Sequence, residues 1–237
     1  MLSRQGMIQR GKRFCKQLLG KDLWTRPQIR GRKEYLGTDY AGYCICPDAI
    51  RRGSVVYSVG IGEDISFDRA LIARWGVEVF AFDPTPKSIA WVKSQKDLPK
   101  QLHFYEWGLA DFDGLATFNA PSNPSYVSYS LVKPSACGGQ SADGQVYRLA
   151  TLMGKLGHKK VDILKMDIEG GEYAVLTDVV DSGLSIGQVL LEFHPDKVDA
   201  GLRRTAEAIR RLNKAGYLIF HISPSGHVYA FLQPLRL

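Results

Sequence analysis

The sequence predicts an α/β fold built on an open, mostly parallel sheet of seven strands, one of them antiparallel. Three observations carry this. Residues 55–85 read as strand, glycine turn, helix, strand and acidic tip, the order of a βαβ unit. Further strand-like runs at 102–106, 161–166 and 188–193 alternate with helix-like stretches, the pattern of a parallel sheet with crossover helices. The last two runs, 217–222 and 227–232, are joined only by Ser223-Pro224-Ser225-Gly226, which makes a hairpin and so reverses one strand.

The elements follow in order. Residues 7–24 suit a basic helix with Phe14, Leu18 and Leu19 on one side. Residues 35–47, rich in Tyr, Gly and Cys, lack helical pattern and are a candidate lid or substrate wall. Val55, Val56, Tyr57 and Val59 form the first strand, since β-branched and aromatic side chains suit a pleated surface. Gly60-Ile61-Gly62 lets the backbone turn sharply and approach a ligand. Residues 65–75 are an amphipathic helix, and 78–82 the second strand, with Asp83 just past its end. Pro86 opens a helix over 87–96, because proline suits the first helical turn. Strand three, 102–106, is followed by Trp107-Gly108-Leu109-Ala110-Asp111, and 114–119 is an extra strand after an Asp-Gly turn. Residues 120–144 are a long Pro, Ser, Gly and Asn stretch, and loops of that length are usually functional. Tyr126 and Tyr129 within it either face a substrate or anchor the loop. A short helix over 149–156 precedes strand four, 161–166, whose end begins a helix running to about residue 180. Strand five, 188–193, ends in His194-Pro195. Asp199 is the expected cap of the next helix, with Leu202, Ala206, Ile209 and Leu212 inward and Gly216 as its stop.

The 237 residues fit one α/β domain with an appendage, residues 1–50, ahead of a body at 51–237. The formal charge of +7 is unevenly spread. Residues 1–33 hold ten Lys or Arg and one Asp, while the rest carries 21 basic and 23 acidic residues, a net of −2. A nearly neutral body argues against nucleic acid as its ligand, and the basic arm is a candidate for peripheral contact with an anionic membrane or RNA, or for simple packing on the body. The four cysteines, Cys15, Cys44, Cys46 and Cys137, contain no C-x-x-C pair, so the expectation is no zinc site and a reduced, cytoplasmic setting. No apolar run approaches the about 20 residues of a membrane span, and the N-terminus lacks the apolar core of a secretory signal.

In open α/β sheets ligands bind at the carboxyl ends of the strands. The polar residues there are Gly60, Gly62, Glu63 and Asp64 after strand one and Asp83 after strand two. Gly108 and Asp111 follow strand three, Asp167, Glu169 and Glu172 strand four, and Glu192 and His194 strand five. Asp83, about 20 residues past the glycines, lies where a ribose diol arrives, which proposes a cofactor with an adenosine end. The third glycine of the dinucleotide fingerprint is Ile65, which weakens NAD and FAD. Asp167 and His194 belong to neighbouring strands and are expected to meet. His194, with an ordinary pKa near neutrality, is a candidate general base, and Asp167 is a second base or orients the substrate. Asp167, Glu192 and His194 are alternatively a Mg²⁺ site. Lys165 and Glu169 have a bland reading as a salt bridge fixing the strand-four turn, and Glu172 as an acid at a positive helix start.

The run Lys165-Met166-Asp167-Ile168-Glu169-Gly170-Gly171-Glu172 resembles the K-x-D-x-E-G-x-E motif of the FkbM family of methyltransferases that use S-adenosyl-L-methionine (SAM). The glycine loop, the tip of strand two at Phe82, Asp83 and Pro84, and the Leu190, Glu192 and His194 run fall in matching order, over residues 53–222. The resemblance implies a Rossmann-like class I methyltransferase fold, SAM as cofactor and O-methylation of a sugar or other alcohol hydroxyl in natural-product or glycan assembly. Two positions depart from the family pattern. The acid that often steadies the SAM amino group is Ser58 here, so that contact passes to Glu63, Asp64 or backbone. The strand-two acid is Asp83 where Glu is commoner. Two other readings stand beside this one: an NAD-linked oxidoreductase, and a non-catalytic SAM-binding scaffold with a basic arm.

Overall fold

A computed structural model describes residues 4–120, 129 and 141–234. The chain opens with helix α1 (Arg4–Leu18) and a short hairpin of β1 (Glu34–Leu36) and β2 (Tyr43–Ile45). The body then runs β3 (Val55–Val59), α2 (Ser66–Trp75), β4 (Glu78–Phe82), α3 (Pro86–Ser94) and β5 (Leu102–Tyr105). Three short strands follow, β6 (Trp107–Leu109), β7 (Gly114–Phe118) and β8 (Ala142–Tyr147). The second half is α4 (Leu149–Leu156), β9 (Val161–Met166), α5 (Glu172–Asp181), β10 (Ile186–Glu192), α6 (Gly201–Lys214), β11 (Leu218–Ile222) and β12 (Val228–Leu232).

Seven strands form the main sheet in the order β11-β12-β10-β9-β3-β4-β5. Only β12 runs against its neighbours, pairing antiparallel with both β10 and β11. This is the Rossmann-like class I methyltransferase sheet. The chain winds outward from β3 through β4 to β5, then returns to β9 on the other side of β3. Strand order therefore reverses between β3 and β9, which is where such sheets open a crevice at their carboxyl ends.

The central strands are nearly continuous apolar runs, as burial on both faces requires. Alternation along them divides the core. Tyr57, Val59, Leu164, Met166 and Leu191 face one side with α4, α5 and α6, while Val56, Ile163 and Leu190 face the other with α2. Each such side chain contributes about 1.5–3 kcal/mol when fully buried. Leu36, Tyr43, Ile45 and Ile50 are buried in the second cluster, so residues 34–50 add core to the body although the sequence groups them with the appendage. Gln188, fully buried, ties this segment down by exchanging hydrogen bonds with the Cys46 backbone.

Several elements differ from expectation. The first helix ends at Leu18 rather than near residue 24, after which Arg13 binds Asp22 and turns the chain back. Strands β6 and β8 sit where loop was expected. Ala142–Tyr147 is poor in β-formers, and it is ordered by pairing with β6 on one side and β7 on the other. Asp199 does not cap α6. The N-cap is Ala200, in a left-handed conformation at φ 53°, and the inward face includes Thr205 and Ala208 in place of Ala206. Tyr126 and Cys137 lie outside the described residues. Among the described residues, no helix is long and apolar enough to cross a membrane.

Candidate functional site

A cavity of about 350 Å³ opens at the carboxyl ends of β3, β4, β9 and β10. Its floor is the glycine loop. Gly60 has φ 71°, and a side chain there would collide with the Asp167 carbonyl, so only glycine lets the ends of β3 and β9 lie this close. The loop is clamped from both sides. Lys165, buried, donates to the carbonyls of Val59 (3.2 Å) and Gly60 (2.6 Å), and the Gly62 amide donates to Asp83 Oδ2 (3.0 Å). Asp83 is buried as well. Its Oδ1 accepts from the Thr85 amide and hydroxyl, which leaves one acceptor position on Oδ2 toward the cavity. Gly108 lines the same wall, wedged between Pro84, Phe118 and Val146.

The four remaining residues expected to meet a cofactor are placed differently. Glu63 is exposed at the mouth. Asp64 lines the cavity but its oxygens accept from the Ser66 amide (2.7 Å) and the Thr38 hydroxyl (2.9 Å). Although burial raises its pKa, these hydrogen bonds win and lower it, so Asp64 serves to start α2 and to pin the β1–β2 hairpin tip. That tip brings Asp39, Tyr40 and Ala41 to the cavity wall. Asp111 faces away, into a separate depression beside Gly170 and Arg204, because β6 carries the chain past the cavity before that residue is reached. Ser58 is fully buried beneath the loop and its hydroxyl has no hydrogen-bond partner of normal geometry.

Facing Ser58 is Asp68, in the first turn of α2, which sequence reasoning missed. It is 2% exposed, lines the cavity, and its Oδ1 is buried without a partner. Burial pushes this carboxyl up to about 6, against the pull of Lys165 and of the Ser58 hydroxyl. A signal was present in the sequence. Asp68 is three residues from Ile65 and four from Ile72, so an acid stands on the apolar face of an amphipathic helix, where burial without purpose is costly.

The opposite wall is an acid cluster around His194. Glu172, fully buried at the start of α5, organises it. Its Oε1 accepts from the Ile168 amide (3.0 Å) and faces His194 Nδ1 (2.9 Å), and its Oε2 accepts from the Gly170 amide (2.9 Å). One side chain thus folds the turn 167–171 and orients the imidazole. His194 Nε2 lies 3.7 Å from Asp167 Oδ1 and 3.6 Å from Glu169 Oε2. Glu169, held at φ 53°, also pairs with Lys197 (3.4 Å); the bland Lys165–Glu169 bridge is not formed, since Lys165 points at the glycine loop. Burial alone would lower the His194 pKa, but the Glu172 hydrogen bond and three surrounding carboxylates raise it to about 10. His194 is therefore an imidazolium at neutral pH, a proton donor in this arrangement. Burial, then the charge of Asp167, push Glu192 up to about 7, and burial raises Asp167 too, against Lys165 and His194.

The cavity therefore joins a glycine-loop half, suited to a nucleoside, to an acid half that can accept and move a proton. Residues 55–219 match the family model described as the methyltransferase FkbM domain. Among curated proteins, "Probable methyltransferase-like protein 24" from Rattus norvegicus is 27% identical over 141 residues, and its Homo sapiens counterpart 28%. Each match covers 59% of this chain and 32% of the relative, so the shared stretch is about a third of the relatives' length. Among solved structures, a precorrin-6y C5,15-methyltransferase from Geobacter metallireducens GS-15 aligns over 77% of this chain and 80% of its own at a TM-score of 0.44 and 12% identity. The Aeropyrum pernix fibrillarin with natively bound S-adenosyl-L-methionine aligns over 88% and 84% at 0.44 and 10%. With the family model spanning β3 to β11 and the cavity lying largely within that span, the chain belongs to the FkbM family of SAM-dependent methyltransferases.

Proposed function

We propose that the protein is an O-methyltransferase acting on a hydroxyl of a sugar, glycan or natural-product small molecule. The observation that carries this reading is the pairing of two carboxyls with raised pKa values, Asp167 and Glu192, beside the imidazolium of His194 at one end of the cofactor cavity. An alcohol must lose its proton as its oxygen gains a methyl group, so a carboxylate titrating near 7 is well matched to that task. Glu192 is the favoured base, with Asp167 accepting from the acceptor hydroxyl and orienting it. His194 donates to the acceptor oxygen or holds the carboxylates in register, a role that replaces the base expected from its ordinary pKa. Tyr40, Tyr43, Phe118 and Tyr129 line the same cavity, an aromatic lining suited to the apolar face of a sugar ring. Among the described residues, Lys165 and His194 are the basic side chains lining it against eight carboxylates, which disfavours an anionic acceptor.

The residues present fit SAM, which supplies an electrophilic methyl group on a sulfonium. In this reading Asp83 takes the ribose hydroxyls and Gly108 the base. In this reading Asp68, whose buried Oδ1 has no hydrogen-bond partner of normal geometry, takes the cationic amino group, in place of the acid that Ser58 replaces. The group of metal-ligating side chains that comes together among the described residues contains Glu172 in place of the expected Glu192, and it does not fit Mg²⁺. Asp167, Glu172 and His194 each offer an atom within 4.8 Å of the others, but the Glu172 oxygens already accept two amides and face the imidazolium. Mg²⁺ prefers carboxylates and water to imidazole.

The test is isothermal titration with SAM, with NADH as control, followed by transfer of labelled methyl to a panel of sugars and polyketide alcohols. SAM binding with methyl ethers as products supports the reading. SAM binding with products methylated at nitrogen or carbon would replace it, and NADH binding without SAM binding would revive the oxidoreductase.

A further inference from the structure

Helix α1 is amphipathic in the reverse of the usual sense. Its body side is polar: Gly6, Gln9, Arg13 and Gln17, spaced three and four apart, are its less exposed residues. Arg13 donates to Asp22 (3.1 Å) and Thr25 (3.0 Å), and Gln17 to the Leu23 carbonyl (2.7 Å). Its solvent side is apolar. Met7, Phe14 and Leu18 share one stripe, with Ile8 beside it, and all four are more than half exposed. The stripe continues past the helix into Leu19 (69% exposed) and Trp24 (66%), and the Trp24 ring meets Phe14 edge-on at 5.9 Å. A helix that docked on its own domain for stability would bury these residues.

The charges identify what the apolar side faces. Arg10 flanks the stripe on one side and Lys12 lies beyond Ile8 on the other, Lys16 is exposed further round the helix, and Lys21 and Arg26 follow. The one acid of this region, Asp22, is paired with Arg13. The arm is mounted firmly: the Thr25 hydroxyl meets Tyr229, and the Gln28 amide donates to the Ile219 carbonyl of β11. The β11–β12 hairpin borders the strand end that carries His194, since the Phe193 amide donates to the His227 carbonyl.

We propose that residues 4–26 are an interfacial membrane-binding element, lying flat on an anionic phospholipid surface with Met7, Phe14, Leu18, Leu19 and Trp24 inserted and the Lys and Arg flanks at the headgroups. Inserted apolar side chains flanked by basic ones are the chemistry of such a surface, and Trp belongs at its boundary. RNA would use the charge but gives no reason to expose Met, Ile and Leu. Docking would set the cavity edge of the sheet close to the bilayer, and so to acceptors presented there. The inference does not depend on the nature of the methylated atom.

The test is co-sedimentation of the full chain with vesicles of phosphatidylcholine alone and of phosphatidylcholine with phosphatidylserine, at low and high salt. The expected result is binding to the anionic vesicles that weakens with salt, with a blue shift in tryptophan emission that is lost in Trp24→Phe. Phe14→Glu with Leu18→Glu should abolish it, while SAM affinity by titration stays unchanged, which shows that the variant is folded. Lys12→Glu with Lys16→Glu should weaken it about fivefold or more per charge. No binding to anionic vesicles, or equal binding by the Phe14/Leu18 variant, would overturn the proposal. So would a concentration-dependent dimer lost in that same variant, or salt-sensitive retention of RNA in place of vesicles.

Discussion

In the proposed function three side chains carry the chemistry of the cavity, and each is set by its surroundings. Asp68 is a carboxylate with an unused acceptor beneath the glycine loop, and it titrates near 6. A hydrogen bond to a charged group contributes about 1.5–3 kcal/mol, so Asp68→Asn should weaken SAM binding by roughly tenfold to a hundredfold in a titration. In the unaltered protein SAM affinity should fall as the pH drops through about 6, as that carboxylate gains a proton. Glu192 near 7 and His194 near 10 predict a bell-shaped rate profile. Rate should rise with pH as Glu192 loses its proton and fall at high pH as His194 loses its own. Glu192→Gln should lower kcat by about 10²–10⁴ and remove the acid limb. A profile whose acid limb survives that substitution would move the base to Asp167.

At the scale of elements, the turn between β9 and α5 is the point of control. Glu172 accepts from two amides of this turn and holds His194, so it acts as a positioning residue. Glu172→Gln leaves the imidazolium and one amide without a charged partner. Losing one partner of a buried pair typically costs about 3–5 kcal/mol, to be read by chemical denaturation. The same variant should drop the His194 pKa from near 10, which NMR titration of the ring would show. Because the raised pKa stabilises the fold fully below the ordinary 6.5, this advantage of the native protein should shrink as pH rises toward 10. The glycine loop is the second such element. Gly60→Ala puts a methyl group against the Asp167 carbonyl and demands a left-handed backbone of alanine, so it should abolish SAM binding.

At the scale of the molecule, the sheet is a rigid frame, and the ligand edge draws on the ends of several strands and the loops between them. Anything that binds only the folded state raises its stability by mass action, by about 2.7 kcal/mol at a hundredfold excess over Kd. SAM should therefore raise the melting temperature of this chain, and NADH should not. The β1–β2 hairpin belongs to this frame, since Gln188 and the Thr38–Asp64 hydrogen bond fix its base and its tip.

The sequence alone determined the sheet, because each central strand is an apolar run closed by turn residues, and that local pattern survives folding unchanged. It also determined most of the strand-end set, since motif residues next to Gly60 and Met166 have nowhere else to go. It did not determine β8, whose first four residues are poor β-formers and pair between β6 and β7. It did not determine Asp111, which one extra strand carries past the cavity. Asp68 was legible only as an anomaly, an acid on an apolar helix face. The protonation states of His194 and Glu192 were beyond any local reading, because a pKa is set by burial and by charges from other elements. The inward polar face of α1 was equally hidden, since amphipathic spacing shows that a helix has two sides and only tertiary contacts show which one is buried.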